Sequence, residues 1–253
     1  MTVAEDKPKP KEKASGGLWD TFKIVIQALI LALLVRTFLF QPFSIPSGSM
    51  EDTLLVGDFL FVSKYSYGYS RYSFPFSPDL FEGRFWSAEP ERGDVIVFKT
   101  PRDNATDFIK RVVGLPGDRI QMINGVLNIN GEPVQLEELG TTTGDLGRTV
   151  TRYRETLPNG VSHEILDSFT NGALDNTDVY VVPEGHYFMM GDNRDNSTDS
   201  RVPIERGGVG YVPFENLIGR AEIIFFSVDE GARAWEFWRW PWTVRTDRLF
   251  RTL

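Results

Sequence analysis

The feature that most restricts how this chain can fold is one long apolar segment near the N-terminus, LWDTFKIVIQALILALLVRTFLFQPF. Its uninterrupted centre, residues 24–35, is short enough to suit a buried helix or the core of a cleaved signal peptide. Extended to residues 18–40, the segment reaches the roughly 20 residues that a bilayer-spanning helix needs. No small-x-small cleavage pattern is evident in the TFLFQPFSIP that follows Val35, so the sequence favours a retained transmembrane anchor over residues 18–40.

The residues before this segment, 1–17, are polar and rich in Lys and Pro. Such a composition cannot bury a core, so the sequence predicts a disordered tail. The lysines at positions 7, 9, 11 and 13 favour a cytoplasmic N-terminus by the positive-inside rule. The predicted location is therefore the inner (plasma) membrane, with a single span and the remainder of the chain on the periplasmic, or extracytoplasmic, side.

Beyond the apolar segment, short alternating runs are separated by turns, which predicts a mainly β domain over residues 41–230. Asn124-Gly125, between two such runs, is a two-residue hairpin signal. Residues of about 125–180 are largely polar and weakly patterned, and we interpret them as a smaller lobe inserted into the β domain. The candidate strands lie at residues 58–65, 94–99, 107–114, 118–123, 126–130, 178–182, 186–191 and 220–228.

The C-terminal segment, residues 231–253, places tryptophans among arginines. Indole rings and cationic side chains together suit the lipid headgroup region, so one interpretation places this segment at the membrane interface. In the alternative interpretation, the rings fold back onto the β domain. The tryptophans are Trp235, Trp238, Trp240 and Trp242.

Composition excludes several kinds of chemistry. The chain has no Cys, which excludes thiol nucleophiles, disulfides and thiolate metal sites. Its net charge of −8 argues against a nucleic-acid partner. Of the two histidines, neither His163 nor His186 lies in a recognisable triad motif. A serine nucleophile in this chain would therefore need a different base.

Ser49 and Lys110 are candidates for such a pair. Ser49 follows Gly48 in a turn, although Ser and Gly are also ordinary turn residues. In DFIKRVVG, strand alternation places Lys110 beside Phe108 and Val112, on a face apolar enough to bury its amine. Burial can lower the pKa of a lysine from about 10.4 to roughly 7–8. The alternative is an edge-strand lysine whose amine reaches water.

Four motifs in order behind the anchor resemble bacterial type I signal peptidases, the membrane-bound Ser/Lys endopeptidases of peptidase family S26. The motifs are PSGSM with TLLVGDFLFVSKYSYG, then RGDVIVF, KRVVGLPGD and GDNRDNSTDSR. The resemblance implies a signal-peptidase-type β fold and a hydrolase that removes signal peptides from secreted preproteins after Ala-x-Ala-like sites. It also implies no cofactor and no metal, and the acidic run lacks the Gly and Glu that a calcium loop requires.

The resemblance further implies roles for the matching residues. Ser49 would be the nucleophile, and Lys110 the general base and later the acid for the leaving amine. The Ser49 backbone N–H and the Ser47 hydroxyl would form the oxyanion hole. Within the acidic run, Ser197 would hydrogen-bond the Lys110 amine, and Asp199 and Arg201 would support that region from behind.

The same resemblance implies shallow apolar S1 and S3 pockets for small residues at positions −1 and −3 of the substrate. The substrate strand would add to the sheet edges near 43–47 and 107–109 by main-chain hydrogen bonds. Several of the matching positions also suit ordinary core packing. They are Phe43, Ile45, Met50, Leu54, Leu60, Val97, Phe108 and Ile109.

The chain departs from the family pattern at one place. The family usually has Pro two residues before Leu54, whereas this chain has Glu51-Asp52-Thr53. Carboxylates close to Lys110 would raise its pKa and weaken it as a base. We expect Glu51 and Asp52 to face solvent, or Asp52 to cap the following turn.

Two other classes of protein compete with this interpretation. A cytosolic self-cleaving Ser/Lys repressor would need an N-terminal DNA-binding domain and no membrane span, the opposite of residues 1–40. A membrane-anchored β-rich binding or scaffold protein, with an inert serine motif, finds support in Glu51 and Asp52. The predicted partners are preprotein signal peptides and the phospholipid membrane, and nothing calls for more than a monomer.

Overall fold

The computed structural model describes residues 17–79, 81–144, 149–168, 172–232 and 235–253. The predicted disordered tail, except for Gly17, lies outside the described residues. Helix α1, Leu18–Phe38, is 21 residues long, and none of its most apolar window is buried by the rest of the chain. With a mean hydropathy of 1.9 in that window, α1 is long and apolar enough to cross a membrane. It ends before the predicted limit at residue 40 because Phe40 pairs with Ser63 in a sheet.

The described residues form seventeen strands and a second, one-turn helix, α2, at Trp240–Thr243. The strands are β1 Phe40–Ser44, β2 Asp58–Ser63, β3 Tyr69–Ser70, β4 Arg84–Phe85, β5 Val95–Lys99, β6 Asp107–Gly114, β7 Arg119–Ile123, β8 Val126–Ile129, β9 Glu132–Pro133, β10 Gln135–Thr143, β11 Thr149–Thr156, β12 Ser162–Asp167, β13 Tyr180–Val181, β14 His186–Met190, β15 Val212–Pro213, β16 Leu217–Ser227 and β17 Arg251–Thr252. The predicted mainly β fold is confirmed.

The largest sheet has the strand order β1-β2-β16-β5-β6-β14-β15, and β17 pairs with β16 outside this path. Alternating residues of its central strands point into a core cluster that includes Leu60, Val62, Val97 and Ile224. β1 is an edge strand, since it pairs only with β2. β14 covers only residues 111–114 of β6, so one side of β6 is uncovered at residues 107–110. Two sheet edges are therefore open at the same end of the domain.

The hairpin predicted at Asn124-Gly125 is confirmed. Ile123 pairs with Val126 across the turn, and the two central residues have φ angles of 50° and 79°. Two positive φ angles are the signature of the type I′ turn, which Asn-Gly favours.

The interpretation of residues 125–180 as a weakly patterned lobe missed regular strands. β10, β11 and β12 form an antiparallel three-stranded sheet. Most residues of β10 are partly or fully exposed, so its sequence shows little hydrophobic alternation. We call this sheet the inserted lobe. Main-chain hydrogen bonds between Leu166 and residues 192 and 194, together with the buried Arg194–Glu155 ion pair, join it to the rest of the domain.

The C-terminal segment packs on the β domain through its arginines. Arg248 is buried and its Nε atom donates to Asp58 at 3.0 Å. The Trp240 ring lies 5.0 Å from the Phe226 ring. By contrast, the side chains of Trp235, Trp238 and Trp242 remain 58–79% exposed. Part of the segment therefore folds back on the core, while three of its indole side chains remain largely exposed.

Candidate active site

Ser49 lies in a single 3-10 turn, Gly48–Met50, between β1 and β2. The turn is held in place by the buried side chain of Met50 and by hydrogen bonds from Asn193. Met50 is fully buried in the core cluster under the sheet. Asn193 donates its backbone N–H to Ser49 O at 3.2 Å and its side-chain amide to Gly48 O at 3.1 Å. The backbone of the turn is therefore clamped at the candidate nucleophile.

Lys110 projects from β6 toward this turn. Its Nζ atom donates to Ser49 Oγ at 2.6 Å and to Ile109 O at 2.9 Å. The amine also lies 5.4 Å from the centre of the Phe108 ring, as the strand alternation predicts. The fold thus brings two residues that are 61 positions apart into direct contact.

Burial lowers the pKa of Lys110 to about 8, while Asp199 and Asp192 act in the opposite direction. A substantial fraction of the amine is therefore neutral at mildly alkaline pH. Lys64 shows that a lowered pKa alone does not make a base. Burial, together with Arg36, also lowers the pKa of Lys64 to about 8, yet its Nζ donates to the backbone oxygen of Ser73. Contact with the Ser49 hydroxyl distinguishes Lys110.

The two histidines lie elsewhere. The His163 Nε2 atom is 3.3 Å from Glu155 Oε1 and 3.8 Å from Asp192 Oδ1. His186 Nδ1 lies 2.9 Å from the backbone oxygen of Glu184. Among the described side chains, the group in contact with Ser49 Oγ is the lysine amine.

The acidic run 191–201 folds behind Lys110. Arg201 Nε and one terminal nitrogen donate to the Asp199 carboxylate at 2.9 and 2.8 Å, so Asp199 is paired with an arginine of the same run. Burial alone would raise the pKa of Asp199, but the Arg201 charge and the hydrogen bonds that the carboxylate accepts together outweigh it and lower the pKa. The negative charge of the buried Asp199 carboxylate is therefore balanced by Arg201, which lies in the same loop.

Ser197 lies close to the nucleophile turn without the predicted contact. A Cβ atom on Gly191 would come within 2.2 Å of Ser197 Oγ and 2.4 Å of Ser49 O, so only glycine fits between them. The Ser197 hydroxyl is buried and close enough to Asp199 to lower the pKa of that carboxyl, but it makes no hydrogen bond of regular geometry among the described residues. In this structure its hydrogen bond to the Lys110 amine is not formed.

A second buried ion pair supports the site, and sequence analysis missed it. Arg111 donates to both oxygens of Asp192, at 2.9 and 2.7 Å, and Thr53 Oγ1 donates to Asp192 at 2.6 Å. The available signal was Arg111 itself, which alternation directs away from Lys110. Its partner lies 81 residues away, beyond the reach of a local pattern.

Glu51 and Asp52, the two carboxylates at which the chain departs from the family pattern, each have a partner. Glu51 Oε2 accepts from the Asn193 amide at 3.1 Å, and Asp52 Oδ2 lies 3.3 Å from Arg152 Nε on β11 of the inserted lobe. The expectation that Asp52 faces solvent is wrong, because Arg152 covers it. Burial and the carboxylates of Asp199 and Asp192 set the pKa of Lys110, and neither Glu51 nor Asp52 contributes.

Asp52 has a φ angle of 84°, which a proline ring cannot adopt. We therefore expect Asp52→Pro, the residue usual in the family, to destabilise this chain by about 1–3 kcal/mol. Asp52→Gly relieves the same strain and serves as the matched control for loss of the carboxylate. Urea unfolding of the full chain in detergent measures both. Equal stability of the proline and glycine variants would contradict the left-handed conformation.

A groove with a volume of about 330 Å³ lies between the two open edges, and its lining reaches Pro46, three residues before Ser49, and Ile109, the residue before Lys110. Five of the predicted substrate-binding residues line it: Phe43, Ile45, Val97, Phe108 and Ile109. The other three, Met50, Leu54 and Leu60, are fully buried and lie in the core instead. Their side chains have no exposed surface to offer a ligand, because all three are packed inside the core cluster.

A serine hydroxyl in a tight turn, in contact with a buried amine on an antiparallel sheet, is the kind of site expected in a serine peptidase. The family model described as signal peptidase, peptidase S26, matches residues 18–226. The chain belongs to this family.

Curated relatives agree with that assignment. Signal peptidase I of Rickettsia canadensis is 42% identical over 95% of this chain and 94% of its own length. Signal peptidase I of Rickettsia akari is 45% identical over 89% of each chain. A crystal structure of a signal peptidase I from Enterococcus faecalis V583 is 27% identical and covers 53% of this chain and 97% of that chain. Its TM-score is 0.31, a value at which the superposition has no bearing on the fold.

Proposed function

We propose that this chain is a membrane-anchored signal peptidase I that cleaves preproteins after Ala-x-Ala-like sites with a Ser49/Lys110 dyad. The observation that carries the proposal is the 2.6 Å hydrogen bond from a buried lysine amine to a serine hydroxyl, next in the chain to residues that line an apolar groove. The chemistry requires no other titratable group, and one protomer contributes every residue of the site.

In the proposed mechanism, Ser49 Oγ attacks the scissile carbonyl carbon while neutral Lys110 takes the hydroxyl proton. The ammonium then gives this proton to the leaving amine nitrogen, and an ester to Ser49 remains. Water then attacks the ester carbonyl carbon with Lys110 again as base, the bond to Ser49 Oγ breaks, and Ser49 Oγ takes the proton from the ammonium as the carboxylic acid product leaves. Ser197, whose buried hydroxyl makes no hydrogen bond of regular geometry among the described residues, accepts a hydrogen bond from the amine once Ser49 is acylated.

The oxyanion hole is proposed to use the Ser49 N–H and the Ser47 hydroxyl. Ser47 precedes the turn, is exposed at its mouth, and does not spend its side chain on capping it. A donor of this kind typically contributes about 10²–10³ in rate.

The substrate is proposed to bind as an extended strand between β1 and β6. Both strands have main-chain groups that no neighbouring strand of the sheet takes up, at 40–44 and at 107–110. The side chains lining the groove are mostly apolar, so residues −1 and −3 would be selected by the limited depth of the groove. With the N-terminus in the cytoplasm, α1 would hold this groove at the extracytoplasmic surface, where a signal peptide leaves the bilayer.

The direct test is cleavage of a preprotein with Ala at −1 and −3 by the full chain in detergent, with the product N-terminus identified by mass. A bulky residue at −1 should lower kcat/KM roughly 5- to 150-fold, because overpacking a shallow pocket costs about 1–3 kcal/mol. The same substitution at −2, whose side chain alternates away from the groove, is the matched control. Absence of cleavage, or equal sensitivity at −1 and −2, would reject the proposed specificity.

The lowered pKa of Lys110 predicts the pH dependence. The protonated amine cannot accept the Ser49 proton, so kcat/KM should rise about tenfold per pH unit below pH 8. Above a pH of about 8 the profile should level off. A pH–rate profile between pH 6 and 9.5 measures this limb. A flat profile across that range would contradict a lysine base.

A further inference from the structure

A second cavity, of about 210 Å³, lies where α1 joins the β domain. It is lined by three basic side chains and one acidic one: Arg36, Lys64, Lys99 and Asp107. Phe74 and Phe76 also line the cavity, and Phe76 is fully exposed. We call this cavity the Arg36–Lys64 pocket.

The charges of this pocket do not balance. Lys99 and Asp107 form an ion pair at 2.7 Å, which leaves Arg36 and Lys64 in excess. Arg36 is exposed and has no ion pair within the described part of the chain. Lys64 is 97% buried, since only 3% of it is exposed, and its amine donates to Ser73 O. Two cations are thus held close together beside an open cavity.

The repulsion between these two positive charges affects the pKa of Lys64. Burial and, after it, the nearby positive charge of Arg36 together lower its pKa to about 8. Asp107 acts against this trend and Lys99 adds to it. An anion in the cavity would compensate the excess charge, and a cavity of this size has room for a phosphate group, since one water takes about 30 Å³.

The position of the pocket identifies the source of the anion. Arg36 lies in the last turn of α1, the helix whose apolar side chains are bare along its length. When such a helix spans a bilayer, its last turn lies at the level of the lipid headgroups. The exposed ring of Phe76, which lines the pocket, suits the same boundary.

We propose that the Arg36–Lys64 pocket binds the phosphate of an anionic phospholipid in the leaflet where α1 ends. This rests on the proposed anchoring of α1 and is independent of the peptidase chemistry. The pocket shares Gln41 and Asp107 with the substrate groove. A lipid bound there therefore fixes the near end of the groove at the membrane surface.

The test uses the full chain carrying Ser49→Ala, purified in an uncharged detergent, so that turnover cannot affect the result. Dioctanoyl phosphatidylglycerol, dioctanoyl phosphatidylcholine and inorganic phosphate are titrated separately, and binding is followed by the rise in the midpoint of thermal unfolding. We expect saturable binding of the phosphatidylglycerol and little binding of the other two.

Arg36→Gln should weaken phosphatidylglycerol binding about fivefold, since one basic side chain near an anionic lipid contributes about 1 kcal/mol. Lys64→Met should weaken binding similarly. If this substitution of a buried residue impairs folding, the Arg36→Gln variant still tests the proposal, because Arg36 is exposed. Arg119→Gln makes the same charge change on an exposed residue of β7 and should bind as the parent does.

Equal affinity for phosphatidylglycerol in the parent, Arg36→Gln and Arg119→Gln would overturn the proposal. Equal affinity for phosphatidylcholine would also overturn it, because the pocket would then not select net negative charge. Protection by inorganic phosphate as strong as that by the lipid would assign the pocket to a free anion and reject the membrane source.

Discussion

Replacing Lys110 with Met should lower kcat for preprotein cleavage by about 10⁴-fold or more and leave the chain folded. The loss is large because Lys110 is the group that contacts Ser49 Oγ, and the histidines lie elsewhere. Met has nearly the shape of the lysine stem and avoids the cost of burying an amine, so the free energy of unfolding should not fall. Single-turnover cleavage and urea unfolding of the full chain in detergent measure the two effects.

Ser49→Ala should cause a loss of the same size, and the double variant should lose no more than either single one, because the two residues act as a unit. Lys110→Arg is the matched control for charge, since a guanidinium stays protonated and should be as inactive as Met. Lys23→Met, on an exposed lysine at the other end of α1, should retain activity. Cleavage by Lys110→Met within tenfold of wild type would exclude the dyad.

The second large effect concerns stability. Arg194→Met should lower the free energy of unfolding by about 3–5 kcal/mol, because it leaves the buried Glu155 carboxylate without its arginine and with only His163 Nε2 nearby, at 3.3 Å. Arg194, in the acidic run, donates to both oxygens of Glu155, on β11 of the inserted lobe, at 2.9 and 2.5 Å. Neither side chain is more than 5% exposed. This ion pair fastens the lobe to the loop that supports Lys110.

Arg154→Met is the matched control, on the residue next to Glu155. Arg154 pairs with Glu137 at 3.0 Å, but the two side chains are 44% and 66% exposed, so the expected loss is below about 1 kcal/mol. The double variant Glu155→Leu/Arg194→Met should recover most of the stability, since it removes both charges. Equal losses for Arg194→Met and Arg154→Met would contradict the account of the buried pair.

The acid stability of the wild type provides an independent check. Burial alone would raise the pKa of Glu155, but Arg194 and His163 outweigh it and hold the pKa at about 2. A carboxylate whose folded pKa lies below its unfolded value of about 4.5 stabilises the fold above pH 4.5. The stabilisation should fade as the pH falls from 4.5 toward 2. Because Arg194→Met lacks the pair, its stability should depend less on pH in that window.

Much of the fold followed from local pattern. Hydropathy located α1 to within two residues, and alternation placed the eight residues of β6 at their observed bounds. The strands of the inserted lobe were missed for the opposite reason. β10 is exposed along most of its length and β11 is partly exposed, so their sequences show little hydrophobic alternation. These strands are recognised only by their regular main-chain hydrogen bonds.

The candidate site divides in the same way. Ser49 and Lys110 were predicted from motifs, and alternation correctly put Lys110 beside Phe108. Sequence could not assign a partner to Asp52, because Arg152 lies 100 residues away on another sheet. It also could not separate groove from core: Ile45 and Leu60 are similar side chains, and only the first lines the cavity.

The sequence by itself determined the apolar helix, the β class, the family, and the absence of cysteine chemistry, because each of these depends on composition or on a short-range pattern. Only the tertiary structure decided where the charges lie. It directed Glu51 to Asn193 and Asp52 to Arg152, leaving burial opposed only by Asp199 and Asp192 in setting the pKa of Lys110. The reason is physical: the pKa of a buried amine depends on every charge within several ångströms, and those charges come from segments far apart in the chain.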